Sequence, residues 1–211
     1  MIVHRLIFSP IQVNTYILDN GSGECAIIDC GCYNETEFSQ FKTFLEDHRL
    51  KPVVLLNTHM HLDHIFGNGY VYNEYGLLTH AAKQEEANRA SALDHAALFG
   101  LELDEPPAIG KIIEGGQEIR FGEITLKTIF VPGHTAGSIS YYSEADRVVF
   151  TGDALFAGSI GRTDLPGGDY GTLIKSIKEG LITLDESTVV YPGHGDKTTI
   201  GHEKVSNQYL N

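Results

Sequence analysis

One stretch of seven residues constrains this chain more than any other part of it. The stretch runs Thr58-His59-Met60-His61-Leu62-Asp63-His64 and closely follows the apolar run at positions 53–56. Three imidazoles and a carboxylate within six positions are ligand types that bind zinc or iron in proteins. The alternative is a polar loop that happens to contain three of the ten histidines of the chain. A metal site is therefore our first hypothesis.

The spacing within this stretch favours more than one ion. His59 and His61 lie two positions apart, so both rings project to one side of an extended chain. Asp63 and His64 are adjacent and would diverge in an extended chain. If the chain turns into a helix at Leu62, however, this second pair can serve a neighbouring ion. One short segment then offers ligands to two metal ions.

Three later segments repeat one pattern, in which an apolar strand is followed by glycine and then by a possible ligand. The runs at 128–131, 148–150 and 189–191 are rich in β-branched and aromatic residues, as buried strands are. The residues that follow the glycines are His134, Asp153 and His194. Glycine at these places permits a tight turn and a close approach of the backbone to an ion. Singly, each is more often an ordinary loop residue, but together with the first stretch they predict four strand ends that meet at one centre.

In order along the chain, these residues resemble the ligand signature of the metallo-β-lactamase superfamily, and the likeness covers nearly the whole sequence. The family's His-x-His-x-Asp-His motif matches positions 59–64, and its later ligands match the three strand-end residues. The resemblance implies that one metal is bound by His59, His61 and His134, that a second is bound by Asp63, His64 and His194, and that Asp153 bridges them. It also implies an α/β fold, the four-layer αβ/βα sandwich, with the metal site at the sheet edge.

Length and composition agree with one compact domain over residues 1–211, and the resemblance implies that this domain is a hydrolase. A chain of 211 residues with 42% hydrophobic and 20% charged residues is long enough to bury a core. The 28 acidic and 15 basic residues give a formal charge of −13, which repels phosphate backbones and anionic lipid surfaces. We therefore expect no nucleic-acid and no membrane partner. We also expect a monomer or small homo-oligomer.

The sequence also predicts a cytoplasmic protein. The apolar run within 1–8 is too short for the core of a signal peptide, and no run approaches the roughly 18 residues of a membrane helix. Cys25, Cys30 and Cys32 are odd in number and crowded into one segment, unlike a disulfide framework. The pair Cys30-Gly31-Cys32 is interpreted as two reduced thiols, with a redox or soft-metal pair as the alternative.

Strands are predicted to alternate with helices along the chain, beginning with a strand over 1–8. Asn34 and Glu37 resemble a capping box for a helix that reaches about His48. Further helices are predicted at about 81–100, over 173–184 and over 203–210. His80 precedes the helix predicted at about 81–100 and His95 lies within it. We interpret both histidines as structural.

A pair of ions would support hydrolysis without a serine nucleophile. Two divalent metals about 3.5 to 4 Å apart can share a hydroxide, lower its pKa toward neutrality and polarise a carbonyl. The chain contains no Gly-x-Ser-x-Gly elbow. Asp63 and Asp153 are the candidate catalytic carboxylates, and they must be ionised to bind metal. We expect two zinc ions, with iron or manganese as alternatives, because histidine and carboxylate suit all three metals.

The segment at 153–164, which ends in Gly-Arg-Thr-Asp, narrows the predicted substrate. It resembles the glyoxalase II branch of the superfamily, thioesterases that hydrolyse S-lactoylglutathione. The resemblance places a glutathione-binding basic side chain at Arg162, whose planar guanidinium suits bidentate pairing with a carboxylate. The other interpretation of Arg162 is an internal ion pair with Asp164 or Asp169.

Two departures from glyoxalase II direct the prediction toward short glyoxalase II-like hydrolases of small-molecule thioesters or esters. The sequence ends at Asn211, where standard glyoxalase II continues into a helical domain, and Gly195-Asp196 stands where that branch has a tyrosine. Two alternatives are a persulfide dioxygenase, which binds a single iron through two histidines and an aspartate, and a lactonase of the same fold. The most familiar β-lactamase subclass carries cysteine at the place of Asp153, which argues against that activity.

Overall fold

Fourteen strands form two six-stranded sheets and one short hairpin in the computed structural model, which describes residues 1–211. The first sheet contains β1 (Ile2–Phe8), β2 (Val13–Asp19), β3 (Glu24–Ile28), β4 (Lys51–Leu56), β5 (Thr79–Ala81) and β6 (Lys111–Ile112). These strands lie in chain order across the sheet. The pairs β1–β2 and β2–β3 are antiparallel, whereas the pairs from β3 to β6 are parallel.

The second sheet is formed by the C-terminal half of the chain. Its strands are β7 (Glu118–Phe121), β8 (Ile124–Phe130), β9 (Ile139–Ser143), β10 (Val148–Gly152), β13 (Val189–Pro192) and β14 (Thr198–Thr199). They lie in the order β14-β13-β10-β9-β8-β7, and only the pair β10–β13 is parallel. The hairpin of β11 (Leu155–Phe156) and β12 (Ser159–Ile160) stands between β10 and β13 in the sequence.

Six α-helices and two irregular helical turns connect the strands. The helices are α1 (Glu35–Asp47), α2 (Leu62–Ile65), α3 (Asn68–Tyr75), α4 (Glu86–Leu98), α5 (Tyr170–Ser176) and α6 (Ile200–Ser206). A 3₁₀ turn at Lys83–Glu85 precedes α4, and a π-helical turn at Ile177–Leu181 continues α5. None of these helices combines the length and the apolar character required to cross a bilayer.

The two sheets share a central core and each carries helices on its outer face. Leu18 of β2 and Phe150 of β10 belong to one buried cluster, which joins the inner faces of both sheets. Because neighbouring strand residues point to opposite faces, Ile17 packs outward with Phe41 of α1. Likewise Val149 packs outward in a cluster that includes α5 and the π-helical turn. The layers are therefore helix, sheet, sheet and helix, which confirms the predicted αβ/βα sandwich.

The first two predicted helices differ in how well their bounds were placed. α1 follows Asn34, whose side chain accepts a hydrogen bond from the Glu37 amide at 3.1 Å, as the capping pattern predicted. The prediction of a helix from about position 81 was wrong at its start, because Thr79–Ala81 forms a strand that pairs in parallel with β4 on one side and β6 on the other. That helix begins only at Glu86.

The predictions for the two later helices were also imprecise. The helix expected over 173–184 begins earlier, at Tyr170, and passes into the π-helical turn. The last helix begins at Ile200 rather than at Glu203, because the Thr199 side chain accepts a hydrogen bond from the amide of His202 and caps it. It ends at Ser206, four residues before the predicted end.

Candidate metal centre

The seven residues predicted to bind metal lie together at one edge of the sandwich. Their ligand atoms form three overlapping groups, and within each group these atoms lie within 4.8 Å of one another. The groups are His59, His61 and His134; His59, His64 and Asp153; and Asp63, His64 and His194. The first and the third group share no residue, and they have the same members as the two ligand sets that the family resemblance implies.

Asp153 lies between these two groups. Its Oδ1 atom is 3.4 Å from His64 Nε2. Its Oδ2 atom is 3.7 Å from both His134 Nε2 and His194 Nε2. One carboxylate therefore approaches imidazoles of both groups, which is the arrangement that a bridging ligand requires.

The end of β4 and the short helix α2 place the first four of these residues. The chain leaves β4 at Leu56, bends at Thr58, is extended at His61 and becomes helical at Leu62, where the spacing predicted a helical turn. The rings of His59 and His61 lie edge to face with centroids 4.8 Å apart. The helical turn instead directs Asp63 toward the other group, where its Oδ2 lies 3.1 Å from His194 Nε2.

The glycines before the three later residues act in two different ways. Gly133 and Gly152 have φ values of +129° and +51°, a region that glycine adopts without the strain of other residues. Gly193 allows close packing instead, because a Cβ atom there would lie 2.2 Å from Asp153 Oδ1 and 2.7 Å from His64 Cε1. The predicted role of glycine at these turns therefore has a specific physical reason at each position.

Hydrogen bonds at Nδ1 fix the protonation pattern of four of the five histidines. The partners are carbonyl or carboxylate oxygens in three cases: Asp29 Oδ2 for His64 at 3.0 Å, Arg162 O for His134 at 2.8 Å, and Gln12 O for His194 at 3.2 Å. Such oxygens only accept, so Nδ1 carries a proton, and in the neutral imidazole the lone pair is therefore on Nε2. All three Nε2 atoms then point toward Asp153.

His59 is oriented through an intermediate hydroxyl. Thr58 Oγ1 donates to Asp29 Oδ2 at 2.6 Å and therefore accepts from Nδ1 of His59, at 3.1 Å. The lone pair of His59 Nε2 thus faces His134 Nε2, which is 3.2 Å away. Two lone pairs so placed repel each other, and a cation between them removes that repulsion.

Asp29 is a functional residue that the sequence reasoning missed. It is 1% exposed and accepts hydrogen bonds from the backbone and side chain of Thr58, from Asn57 and from His64. Its φ of +54° is uncommon for a residue other than glycine. The available signal was an aspartate directly after the apolar run of β3, but no glycine precedes it as one precedes each of the three later ligands.

The charges around the cluster keep the carboxylates ionised. Burial opposes ionisation of Asp63 and Asp153, but the neighbouring imidazoles, His64 above all, lower the pKa of both carboxyl groups. Burial lowers the pKa of His59 well below its usual value and that of His61 to about 3. Burial has the same effect on His64, but Asp63, Asp153 and Asp29 together raise its pKa.

This donor set fits divalent cations. His64 Nε2 and Asp153 Oδ1 are buried and have no hydrogen-bond partner in the protein, although buried polar atoms in folded proteins are normally paired. Ionised carboxylates and imidazoles with inward lone pairs are what zinc, iron or manganese requires. The residues present therefore fit the metal centre that the family implies.

Arg162 is placed differently from the seven cluster residues. Its guanidinium is exposed and donates two hydrogen bonds to Asp164, at 2.7 and 2.6 Å, while its backbone carbonyl accepts from His134. Asp169, the other suggested partner, caps α5 instead by accepting from the amide of Thr172. The internal ion pair is thus formed, and the substrate-binding role of Arg162 stays a prediction.

The other singled-out residues lie outside the three groups. Cys30 and Cys32 are buried free thiols with their sulfur atoms 3.9 Å apart, and burial raises the pKa of Cys32 well above its usual value. His80 is part of β5 and His95 lies in α4. None of these four side chains belongs to a group of possible metal ligands.

The fold and the cluster define an αβ/βα sandwich protein with a centre for divalent metal. The family model described as the metallo-beta-lactamase superfamily matches residues 9–194, and the chain belongs to that superfamily. Over 209 residues it is 38% identical to the probable metallo-hydrolase YqgX of Bacillus subtilis, with 98% of this chain and 96% of that protein covered.

A second relative and two solved structures extend the comparison. The chain is 34% identical over 205 residues to hydroxyacylglutathione hydrolase GloC of Haemophilus influenzae, with 96% of this chain and 95% of that protein covered. It is similar to the BLEG-1 B3 metallo-beta-lactamase, with a TM-score of 0.90, 33% identity and full coverage of both chains. It is also similar to TTHA1623 in a di-iron-bound form, with a TM-score of 0.89, 33% identity and coverage of 99% and 100%.

Proposed function

We propose that this protein is a glyoxalase II-like thioesterase that holds two divalent metal ions, zinc in the first place, and hydrolyses a small-molecule thioester. The observation that carries the proposal is the position of Asp153 between two separate groups of three ligands. The 34% identity to a hydroxyacylglutathione hydrolase over almost the whole chain supports the thioester as substrate. We place the enzyme in the cytoplasm, as one domain without a nucleic-acid or membrane partner.

In this proposal the cluster residues divide the work between them. His59, His61 and His134 hold one cation, Asp63, His64 and His194 hold the other, and Asp153 contacts both. Once bound, such cations supply Lewis acidity to the acyl carbonyl and lower the pKa of water. Asp63 and Asp153 are the carboxylates available to accept a proton during hydrolysis.

The two carboxylates differ in how free they are to take that proton. Both oxygens of Asp153 lie against imidazoles, whereas only Oδ2 of Asp63 faces the histidines closely. Oδ1 of Asp63 makes no hydrogen bond within the protein. We therefore assign the proton-accepting role to Asp63 Oδ1 and the positioning of both halves of the centre to Asp153.

One experiment tests this proposal against its rivals. The purified protein is subjected to elemental analysis and assayed with S-lactoylglutathione, an acyl-CoA, a lactone, nitrocefin and glutathione persulfide. We expect two metal equivalents and the highest kcat/KM with a thioester. Oxygen consumption with the persulfide, one iron per chain and no thioester turnover would establish the dioxygenase instead.

The nitrocefin assay has a specific structural reason. The likeness to the BLEG-1 B3 metallo-beta-lactamase favours β-lactam hydrolysis as the second candidate. A kcat/KM for nitrocefin that exceeds the value for every thioester would replace our proposal by this one. Preferred turnover of the lactone would likewise assign lactonase activity.

A further inference from the structure

A second buried carboxylate, Glu85, lies beside the cluster without belonging to it. Glu85 ends the 3₁₀ turn before α4 and has no exposed surface. Its Oε2 accepts from the Met60 amide at 2.7 Å and from Asn88 Nδ2 at 2.8 Å. Its Oε1 accepts from Thr135 Oγ1 at 2.6 Å and from the Gly137 amide at 2.9 Å. Both oxygens are therefore fully engaged with donors of the protein.

Three of the four donors to Glu85 come from the two chain segments that carry the first group of histidines. Met60 stands between His59 and His61, and Thr135 directly follows His134. Gly137 permits the contact, because a Cβ atom there would lie 2.6 Å from Glu85 Oε1. A single side chain thus joins the segments that supply all three imidazoles of one group.

The other group depends on different supports. None of the hydrogen bonds to Glu85 comes from Asp63, His64 or His194, or from a residue adjacent to one of them. His64 is held by Asp29, and His194 by the carbonyl of Gln12. Asp29 also supports His59 through the Thr58 hydroxyl, so Asp29 serves both halves of the centre. The contacts of Glu85, in contrast, adjoin only residues of the first group.

Loss of the carboxylate at position 85 would act on both segments at once. In Glu85→Gln the one remaining oxygen replaces only one of the two carboxylate oxygens, so either the Met60 amide or the Gly137 amide would face an NH₂ group instead of an acceptor. Buried amides without an acceptor are costly. The segments would move to find new partners, and the three imidazoles would move with them. Residues that orient ligands in this way typically change metal affinity by about 10- to 100-fold when replaced.

We propose that Glu85 is a positioning residue that sets the metal affinity of the His59, His61 and His134 subsite and leaves the second subsite largely unaffected. The inference rests on the proposed two-metal centre. It goes beyond that proposal, because Glu85 belongs to neither ligand set and yet controls how fully one of the two subsites is occupied by metal.

Glu203 provides a matched control. It is as fully buried as Glu85 and accepts from the Gly158 amide at 2.9 Å, from Thr198 Oγ1 at 2.6 Å and from Asn207 Nδ2 at 2.8 Å. None of these donors is adjacent in sequence to a residue of the cluster. Replacing it by glutamine thus disturbs a comparable buried network away from the ligand segments.

The test follows metal release from the full-length protein loaded with Co²⁺. Wild type, Glu85→Gln and Glu203→Gln are titrated with a competing chelator and followed by visible absorption and elemental analysis. We expect Glu85→Gln to lose one equivalent at a roughly 10- to 100-fold lower chelator concentration than wild type and to keep the other unchanged. Glu203→Gln should release both equivalents as wild type does, even if it melts at a lower temperature.

Reference variants identify the subsite that is emptied. The ion that Glu85→Gln retains should have the spectrum of the ion retained by His61→Ala, not that retained by His194→Ala. If Glu85→Gln does not fold, Thr135→Val removes one of the four donors and should weaken the same subsite to a smaller degree.

Three results would overturn the inference. They are wild-type release of both ions from Glu85→Gln, equal weakening of both ions, or loss of the subsite that contains His194. Two tightly bound equivalents in wild type combined with any of these would leave the two-metal proposal intact. A single equivalent in wild type would refute that proposal and the selective role of Glu85 together.

Discussion

The backbone and the side chain of Arg162 make different contacts. The backbone orients a ligand of the metal centre, and the side chain forms a surface ion pair. The carbonyl accepts from His134 Nδ1, which a change of side chain leaves in place. The guanidinium is exposed and is held by Asp164, whose pKa it lowers to about 2. An anionic substrate would have to compete with Asp164 for it, and an exposed pair of this kind is weak enough to be displaced.

The first prediction separates these roles. Arg162→Ala should raise the KM for S-lactoylglutathione more than it lowers kcat, because the ligand orientation is kept and a substrate contact is lost. Asp164→Asn is the control, and it should leave KM equal or lower, since it frees the guanidinium. Steady-state kinetics of both variants would make the measurement. Unchanged kinetics in Arg162→Ala would assign this side chain to the ion pair alone.

The second prediction concerns Asp153, whose two oxygens face imidazoles of both ligand groups. Asp153→Ala should reduce turnover by at least about 100-fold, because removing a ligand or its orientation typically costs 10- to 100-fold and this residue serves both groups. At least one metal equivalent should be lost as well, as measured by elemental analysis. A variant that keeps two equivalents and wild-type turnover would be incompatible with a bridging role.

At the scale of elements, the turns after β8, β10 and β13 bring distant parts of the chain to one point. Gly193, after β13, leaves room for Asp153, which follows β10. The amide of Gly193 also donates to the carbonyl of Gly152 at 2.8 Å, so the ends of these parallel strands are tied together. The accuracy of the cluster thus depends on backbone packing as well as on the ligands.

The third prediction tests this packing. Gly193→Ala should lower both metal content and kcat, because its Cβ atom would overlap Asp153 Oδ1 and His64. Gly69→Ala is the control, since no heavy atom lies within 4 Å of the Cβ built there. Alanine within a helix is favoured over glycine by about 0.5 to 1 kcal/mol, so this second variant should be as stable as wild type or more stable. Equal metal content in the two variants would contradict the steric argument.

The sequence predicted strand ends far better than contacts between distant segments. The apolar runs before His59, His134, Asp153 and His194 all proved to belong to strands. The strand at Thr79–Ala81 was not predicted. Three residues are too few to show the alternation of apolar and polar side chains, and the pairing of this strand with β4 and β6 is non-local. Asp29 and Glu85 were not predicted to support the centre for a related reason. Most of their hydrogen-bond donors lie 25 or more residues away in the sequence.

At the scale of the whole molecule, the metal centre joins the two sheets. His59, His61, Asp63 and His64 follow a strand of the first sheet, whereas His134, Asp153 and His194 follow strands of the second. Bound cations would therefore cross-link both halves of the sandwich at this edge. Because such a centre exists only in the folded chain, its binding energy should contribute to the stability of the fold.

The fourth prediction is that chelation lowers thermal stability and activity in parallel. A ligand present at 1,000 times its dissociation constant adds about 4 kcal/mol to the free energy of unfolding. For a chain of 211 residues, each kcal/mol corresponds to roughly 2 to 4 °C, so Tm should fall by on the order of 10 °C. Calorimetry and thioester hydrolysis are followed along one chelator titration, with metal-saturated chelator as the control. Hydrolysis that persists after both metals have been removed would rule out a metal-dependent mechanism, and an unchanged Tm would rule out the cross-link between the sheets.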